Sequence, residues 1–441
     1  MRDASGATIA IDYSISNEWS LTSISNFSKV KLEYNEDNDA SPLDITTFRQ
    51  GTDSDQYSQE IQLNRMTDNS TWMVGGYYLD IDGDFFRGFG VPAFGVDADT
   101  PYSVETQSWA IFSQGEFNIN DEFKVIAGLR WSEDKKDMDL NTTCNIIPTT
   151  YVALSCADAG FPTLPGNLFD LGNYRGSSSE ADWSGRLALD YMKSDATLMY
   201  ASISRGIKGG GFNAPLDGSL KASEMPYEGE VLTAYEVGIK YAFWDGDGRF
   251  NASAFFYDYK GYQAFDQRGL TLIVKNKDAE IYGMDAELTL EPGFDISMLF
   301  GLSLLHTEVY GTVLPSGRLA TTVAPQAPDM TFNFVVAKDW NAGLPGLGKG
   351  IIRTQFDGNY TDDLQAGVVN APATAISSNF LANARISFIP DSNKYEFGIF
   401  AKNVFDSENR VYAFDLSALG YIENNYTAPR WIGASFKYNF F

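Results

Sequence analysis

Histidine is all but absent from this 441-residue chain, which holds only His306. Any Ser-His-Asp arrangement would have to use that one residue. With no His pair and two clustered cysteines, no transition-metal site is legible either. Cys144 and Cys156 share one polar segment that also bears Pro and Gly. Their closeness points to a local disulfide and an oxidising compartment, two free thiols being the alternative. Long apolar runs are missing too. No stretch approaches the ~18 consecutive apolar residues of a membrane helix, which excludes a helical bundle in a bilayer. Basic residues are short, 32 Lys+Arg against 58 Asp+Glu for a net charge of −26, so the chain lacks the footprint that nucleic acid requires. A solvated acidic surface is the plain reading of that charge. The opening Met1-Arg2-Asp3-Ala4-Ser5-Gly6 has no apolar h-region, so no signal peptide is read there, and an exported chain is expected to be incomplete.

Aromatic residues are abundant at 14%, an excess that suits the aromatic girdles of membrane barrels. Mean hydropathy is only −0.22, the value expected when every lipid-facing residue is averaged with a polar one. The chain's end shows this alternation best. Ile432, Ala434, Phe436, Tyr438 and Phe440 form one apolar series, and Gly433, Ser435, Lys437 and Asn439 form the other. That is the period of a strand with one greasy and one wet face, and its length matches the ~9–11 residues of a tilted transmembrane strand.

Short polar turns recur at residues 16–19, 66–70, 118–121, 193–196, 245–248, 291–294, 341–350 and 391–394. Between them lie longer polar stretches at 35–52, 84–103, 136–179, 209–229 and 309–328, which read as loops. Short periplasmic turns alternating with long outer loops are the pattern of an outer-membrane barrel. The flanking strands alternate well at 57–64, 123–132, 235–243 and 380–388, and less well at 21–27 and 198–205. The count comes to about seventeen, whereas bacterial single-chain barrels have even numbers.

Several stretches in the same order resemble the barrel of TonB-dependent outer-membrane receptors. They are SWAIFSQGEFNINDEFKVIAGLRWSEDKKD from Ser108, DWSGRLALDYMKSDATLMYASISRGIKGGGFNAP from Asp182, YEVGIKYAFWDGDGRFNASAFFYDYKGYQ from Tyr235, NKDAEIYGMDAELTL from Asn276, FDGNYTDD from Phe356 and FAKNVFDSENRVY from Phe400. The likeness runs from about Leu21 to the end. There are two departures: Phe441 follows the in-register Phe440, and the plug domain, the energy-coupling TonB box and the first strands have no counterpart. The family's barrel has 22 strands around a plugged lumen. The resemblance therefore implies that residues 1–441 are an N-terminally truncated receptor barrel, an all-β transmembrane antiparallel cylinder. On its own the chain is expected to be open or gapped, with two unpaired edges.

Candidate functional residues follow from the alternation. Lys124, Arg130, Arg186, Glu236, Lys240, Asp285, Glu287, Arg353, Asp357, Arg385 and Lys402 all sit on the series opposite the apolar one. Arg or Lys facing lipid at the bilayer midplane costs ~2–4 kcal/mol, so these residues are expected to line a wet or protein-filled lumen. His306 reads as a rim or core residue at the end of a strand over residues 296–305. Gly209, Gly210 and Gly211 lack the following Lys-Ser/Thr of a phosphate cradle and read as a loop opening. Asp80, Asp82 and Asp84 are spaced like the start of a calcium loop but have Val91 at its twelfth position, and the acidic run Glu36, Asp37, Asp39 is a weak cation candidate. Asp245-Gly246-Asp247-Gly248 is a hairpin turn.

No catalytic residue, cofactor or metal is expected. As the resemblance implies, the function is energised uptake of a scarce extracellular ligand, such as a ferric siderophore, from the Gram-negative outer membrane. The partners would be membrane lipid and lipopolysaccharide, and the TonB energy-transducing complex acting through the missing plug. A passive outer-membrane channel is one alternative. A secreted glycan-binding β-propeller is another, since a ~50-residue period also suits kelch repeats.

Overall fold

The computed structural model describes residues 2–440 except 38–41, 43–45, 92–95, 142, 147–172, 215–219, 269–270, 315, 368 and 418–420. One antiparallel sheet of nineteen strands holds most of them. Two of the nineteen, Thr143–Ile146 and Leu319–Thr322, are short additions at strand ends, which leaves the seventeen staves expected from the alternation. A continuous sheet of this kind excludes the propeller, whose blades are separate four-stranded sheets.

Each short turn read from the sequence joins two paired strands. Ser194 pairs with Thr197 across one of them, and Phe243 with Gly248 across another. At the second, Trp244, Asp245 and Gly246 all have positive φ, of 53°, 54° and 100°. The turn expected at 341–350 is tighter than that, because Ala342–Gly350 and Leu344–Gly348 are ladder pairs.

Of the stretches read as loops, 84–103 is strand at every described residue, 35–52, 136–179 and 309–328 are strand in part, and the described residues of 209–229 hold only the short strands Gly211–Phe212 and Pro226–Tyr227. Ser70–Val91 and Val96–Asn118 pair from Ser70↔Phe117 to Val91↔Val96 and absorb nearly all of 84–103. Strands of 22 and 23 residues are about twice the ~9–11 residues that a bilayer crossing needs. Polar composition misled here because a strand standing in water needs no apolar face. Asp80, Asp82 and Asp84 therefore lie on one extended strand and not in a calcium loop, and no His/Cys/Asp/Glu cluster among the described residues could hold a metal. The two poorly alternating stretches are strand as well, inside Trp19–Asp37 and Thr197–Lys208. In the first, Ser23 and Ser25 sit on the apolar-series face, where both hydrogen-bond to Gln59 across the ladder, which explains the blurred pattern.

The sheet rolls, and its contacts identify the inner face. Strands Ser70–Val91 and Thr271–Leu290 are separated by seven inter-strand steps, about 34 Å of sheet at ~4.8 Å per step. Yet the consecutive residues Asn213 and Ala214 touch both. The Arg87 guanidinium donates to the Ala214 carbonyl at 2.9 Å, and the Asn213 amide donates to the Val274 carbonyl at 3.1 Å. Only a strongly curved sheet brings such distant strands together. The core lies at this mouth, where Met138, Leu140, Leu220, Met225 and Ile273 are buried together. Lower down, the apolar series remains exposed, with Ile111 at 59% and Leu129 at 59%. At the seam, the described residues of Arg2–Ser14 pair only with Trp19–Asp37, and those of Trp431–Tyr438 only with Tyr395–Lys402, so the sheet is open as expected.

Candidate functional site: the inner face and its mouth

Residues opposite one another in an antiparallel ladder share a face, so the register can be followed from stave to stave. Arg130 faces Phe112 on one neighbour and Ser184 on the other, and Arg186 faces Gly128, which puts Lys124, Arg130 and Arg186 on one face. Arg186 pairs with Ser204, Ser202 with Glu236 and Leu198 with Lys240, which carries that face onto the next strands. From there it runs through Ser253↔Asp285 and Asn251↔Glu287, then Ser303↔Thr331, then Val335↔Asp357 and Asp339↔Arg353. Gln355↔Arg385 and Arg385↔Phe400 complete the series, and Lys402 lies two residues beyond Phe400. All eleven charged candidates thus share the face opposite the exposed apolar series.

Their immediate partners are local. Lys240, Asp285 and Glu287 line one hollow of about 300 Å³ together with Tyr200, Asn251, Ser253 and Asn333. Glu236 accepts a 2.6 Å hydrogen bond from the Tyr200 hydroxyl. Arg353 forks onto Asp339 at 2.7 and 2.6 Å, Asp357 accepts from Asn383 at 2.8 Å, and Arg385 bridges Glu396 at 2.7 Å and Ser435 at 3.0 Å. Lys124 reaches Glu116 at 3.4 Å, and Lys402 lies over the Trp431 ring at 5.6 Å. Arg130 stands over Tyr77 and Phe112 at 5.5 and 5.6 Å. The Phe112 ring in turn occupies the space beside Gly75, where a Cβ would meet it at 2.5 Å. Among the described residues, no two of the eleven pair with each other as ions.

The mouth holds functional positions that alternation could not reveal. The Glu180 carboxylate accepts the amides of Gly210 and Gly229 at 2.9 and 3.3 Å, filling the place an anion would take in a glycine cradle. Lys136 donates to the Gly210 carbonyl at 2.5 Å, and Lys275 pairs with the buried Asp266 at 3.1 Å. Burial dominates the proton affinities here. It pushes the Tyr102, Tyr174 and Tyr227 phenols above the ordinary value of 10.0, with Arg87 partly opposing the rise at Tyr102. It also holds Lys277 below 10.5, with Lys275 adding to the depression and Asp266 resisting it. Apolar residues inside a polar stretch, Leu220 and Met225 buried and Phe212 partly buried, were the sequence signal for this packing.

Two further expectations concern His306 and the cysteines. His306 lies within a strand that runs on to Val313, on the apolar-series face, with its ring 4.9 Å from that of Tyr282 and its Nε2 3.3 Å from Glu308. Cys144 is on the short strand Thr143–Ile146, but Cys156 and hence the disulfide fall outside the described residues.

Comparison with known proteins agrees with this architecture. The pesticin receptor of Yersinia pestis is 22% identical over 359 residues, covering 80% of this chain and 46% of its own length. Among solved structures, the ferric yersiniabactin uptake receptor of Yersinia pestis superposes with a TM-score of 0.78 at 17% identity, over 100% of this chain and 62% of that one. The siderophore receptor PiuA of Acinetobacter baumannii gives 0.71 at 14%, over 99% and 64%. At such identities these likenesses concern the fold, and the chain spans about half the length of the curated relative it matches. Residues 2–404 match the family described as TonB dependent receptor-like, beta-barrel, and the chain belongs to that family.

Proposed function

We propose that this chain is the barrel of an outer-membrane receptor that takes up a scarce extracellular ligand, a ferric siderophore first, with energy from the TonB complex. The observation that carries the reading is the two-faced sheet. One continuous face bears the eleven charged residues and curves inward, and the other exposes Ile111, Leu129, Val237 and Ile399 as lipid contacts. Lipid on the outside favours that arrangement, since those eleven charges are kept from hydrocarbon. The similarity to a ferric yersiniabactin uptake receptor and to a siderophore receptor supports the ligand class. The family is one of transport receptors, so no catalytic role is assigned. Lipopolysaccharide would surround the extended strand tips, and a plug inside the lumen would meet residues such as Asp285, Glu287 and Arg353.

The full protein containing this chain, placed in a Gram-negative host lacking its own siderophore receptors, should import radiolabelled iron from a catecholate, phenolate or citrate complex. Import should vanish when TonB is deleted. Import that survives the deletion would instead make the protein a passive channel, and no import of any ferric complex would overturn the siderophore assignment.

A further inference from the structure

Residues 209–214 and 220–229 cross the inner face at the mouth, and side chains from strands on both sides hold them. Both roots are tied: Glu180 takes the Gly210 and Gly229 amides, and the Gln263 side chain donates to the Gly209 and Glu228 carbonyls at 3.0 and 3.3 Å. At the crown, Asn213 is 5% exposed and uses both ends of its amide. It donates to the carbonyls of Glu224 and Val274 at 3.0 and 3.1 Å and accepts the Val274 amide at 2.7 Å. Its own backbone amide meets the Met225 carbonyl at 2.7 Å, closing the two arms on each other. Beneath, Leu220 and Met225 are fully buried between Met138 and Leu140 on one wall and Ile273 on the other.

A mobile lid would show the reverse, with few buried apolar contacts and backbone groups open to water. We propose that these two arms form a fixed brace across the mouth, with Asn213 as its positioning residue, so that the separation of the two facing walls is set before any ligand arrives. Among the described residues, none of the brace lines the hollow around Lys240, Asp285 and Glu287, and the proposal does not depend on which ligand is carried.

Hydrogen exchange on the full protein in detergent tests this directly. Asn213→Ala leaves the Val274 amide and two carbonyls unpaired, and should lower protection about tenfold or more. The loss should appear together in residues 211–214 and 222–225, in 138–140 on one wall and in 273–274 on the other. Residues 197–203 and 234–243, near the short turns, should not change. Asn213→Asp should fail to rescue, since a carboxylate accepts from Val274 but donates to neither carbonyl. Leu220→Ala should produce the same joint loss from the apolar side, and decides the matter if the Asn213 variants do not fold. A loss confined to residues 213 and 274, or wild-type arms that exchange as fast as a free loop, would overturn the brace. Either result is independent of the iron-import experiment.

Discussion

Leu129 and Arg130 are neighbours in the chain with opposite surroundings. Leu129 is 59% exposed on the apolar face, while Arg130 stands over two aromatic rings on the other. Leu129→Arg should therefore impair membrane insertion by about 2–4 kcal/mol if it lies near the bilayer midplane, whereas Arg130→Leu should insert normally. Heat-modifiable mobility of the two variants after outer-membrane extraction measures this, and equal impairment would mean that the faces are assigned the wrong way round. Period-2 spacing was enough to place these residues, because a strand's side chains have only two directions to choose from. Asn213 was not legible in that way. Its role depends on a backbone carbonyl and amide at Val274, sixty-one positions away, and no local pattern encodes that meeting.

At the scale of elements, the turns were readable and the loops only in part, 209–229 being loop for most of its described residues. Polar clusters at 16–19 and 391–394 are turns because each joins two consecutive strands that pair with one another. Polar stretches beyond the membrane carry no such constraint, so strand and loop look alike there, and 84–103 turned out to be mostly strand. The packed mouth has a pH signature that comes from burial. Burial raises the Tyr102 and Tyr227 phenols above 10.0, so their neutral forms stabilise the folded mouth fully below that pH. This contribution is lost as pH climbs through the raised values, because the opened mouth releases those protons first. Ultraviolet titration of the folded protein should show a class of tyrosines ionising after the rest, and Leu220→Ala should shift only the mouth's members of that class, Tyr102 among them, down toward pH 10.0. A single titration step in the unsubstituted chain would contradict the packing described for the mouth.

Across the whole molecule, the seam decides behaviour. Arg2–Ser14 and Trp431–Tyr438 each present an edge with no partner strand among the described residues, and in lipid each unsatisfied backbone group costs several kcal/mol. The 441-residue chain by itself should associate through these edges in detergent and elute as a broad, concentration-dependent distribution on size exclusion. A monodisperse species that conducts ions across a planar bilayer would show that the edges close on each other after all. By itself the sequence determined the strands, their two faces and the short turns, since each follows from local alternation and turn chemistry. Which way the sheet curves, how long its strands are, and that residues 209–214 and 220–229 tie one wall to another were decided only in three dimensions. Those features rest on contacts between residues far apart in the chain, and each such pairing must first meet the entropy of closing a long loop.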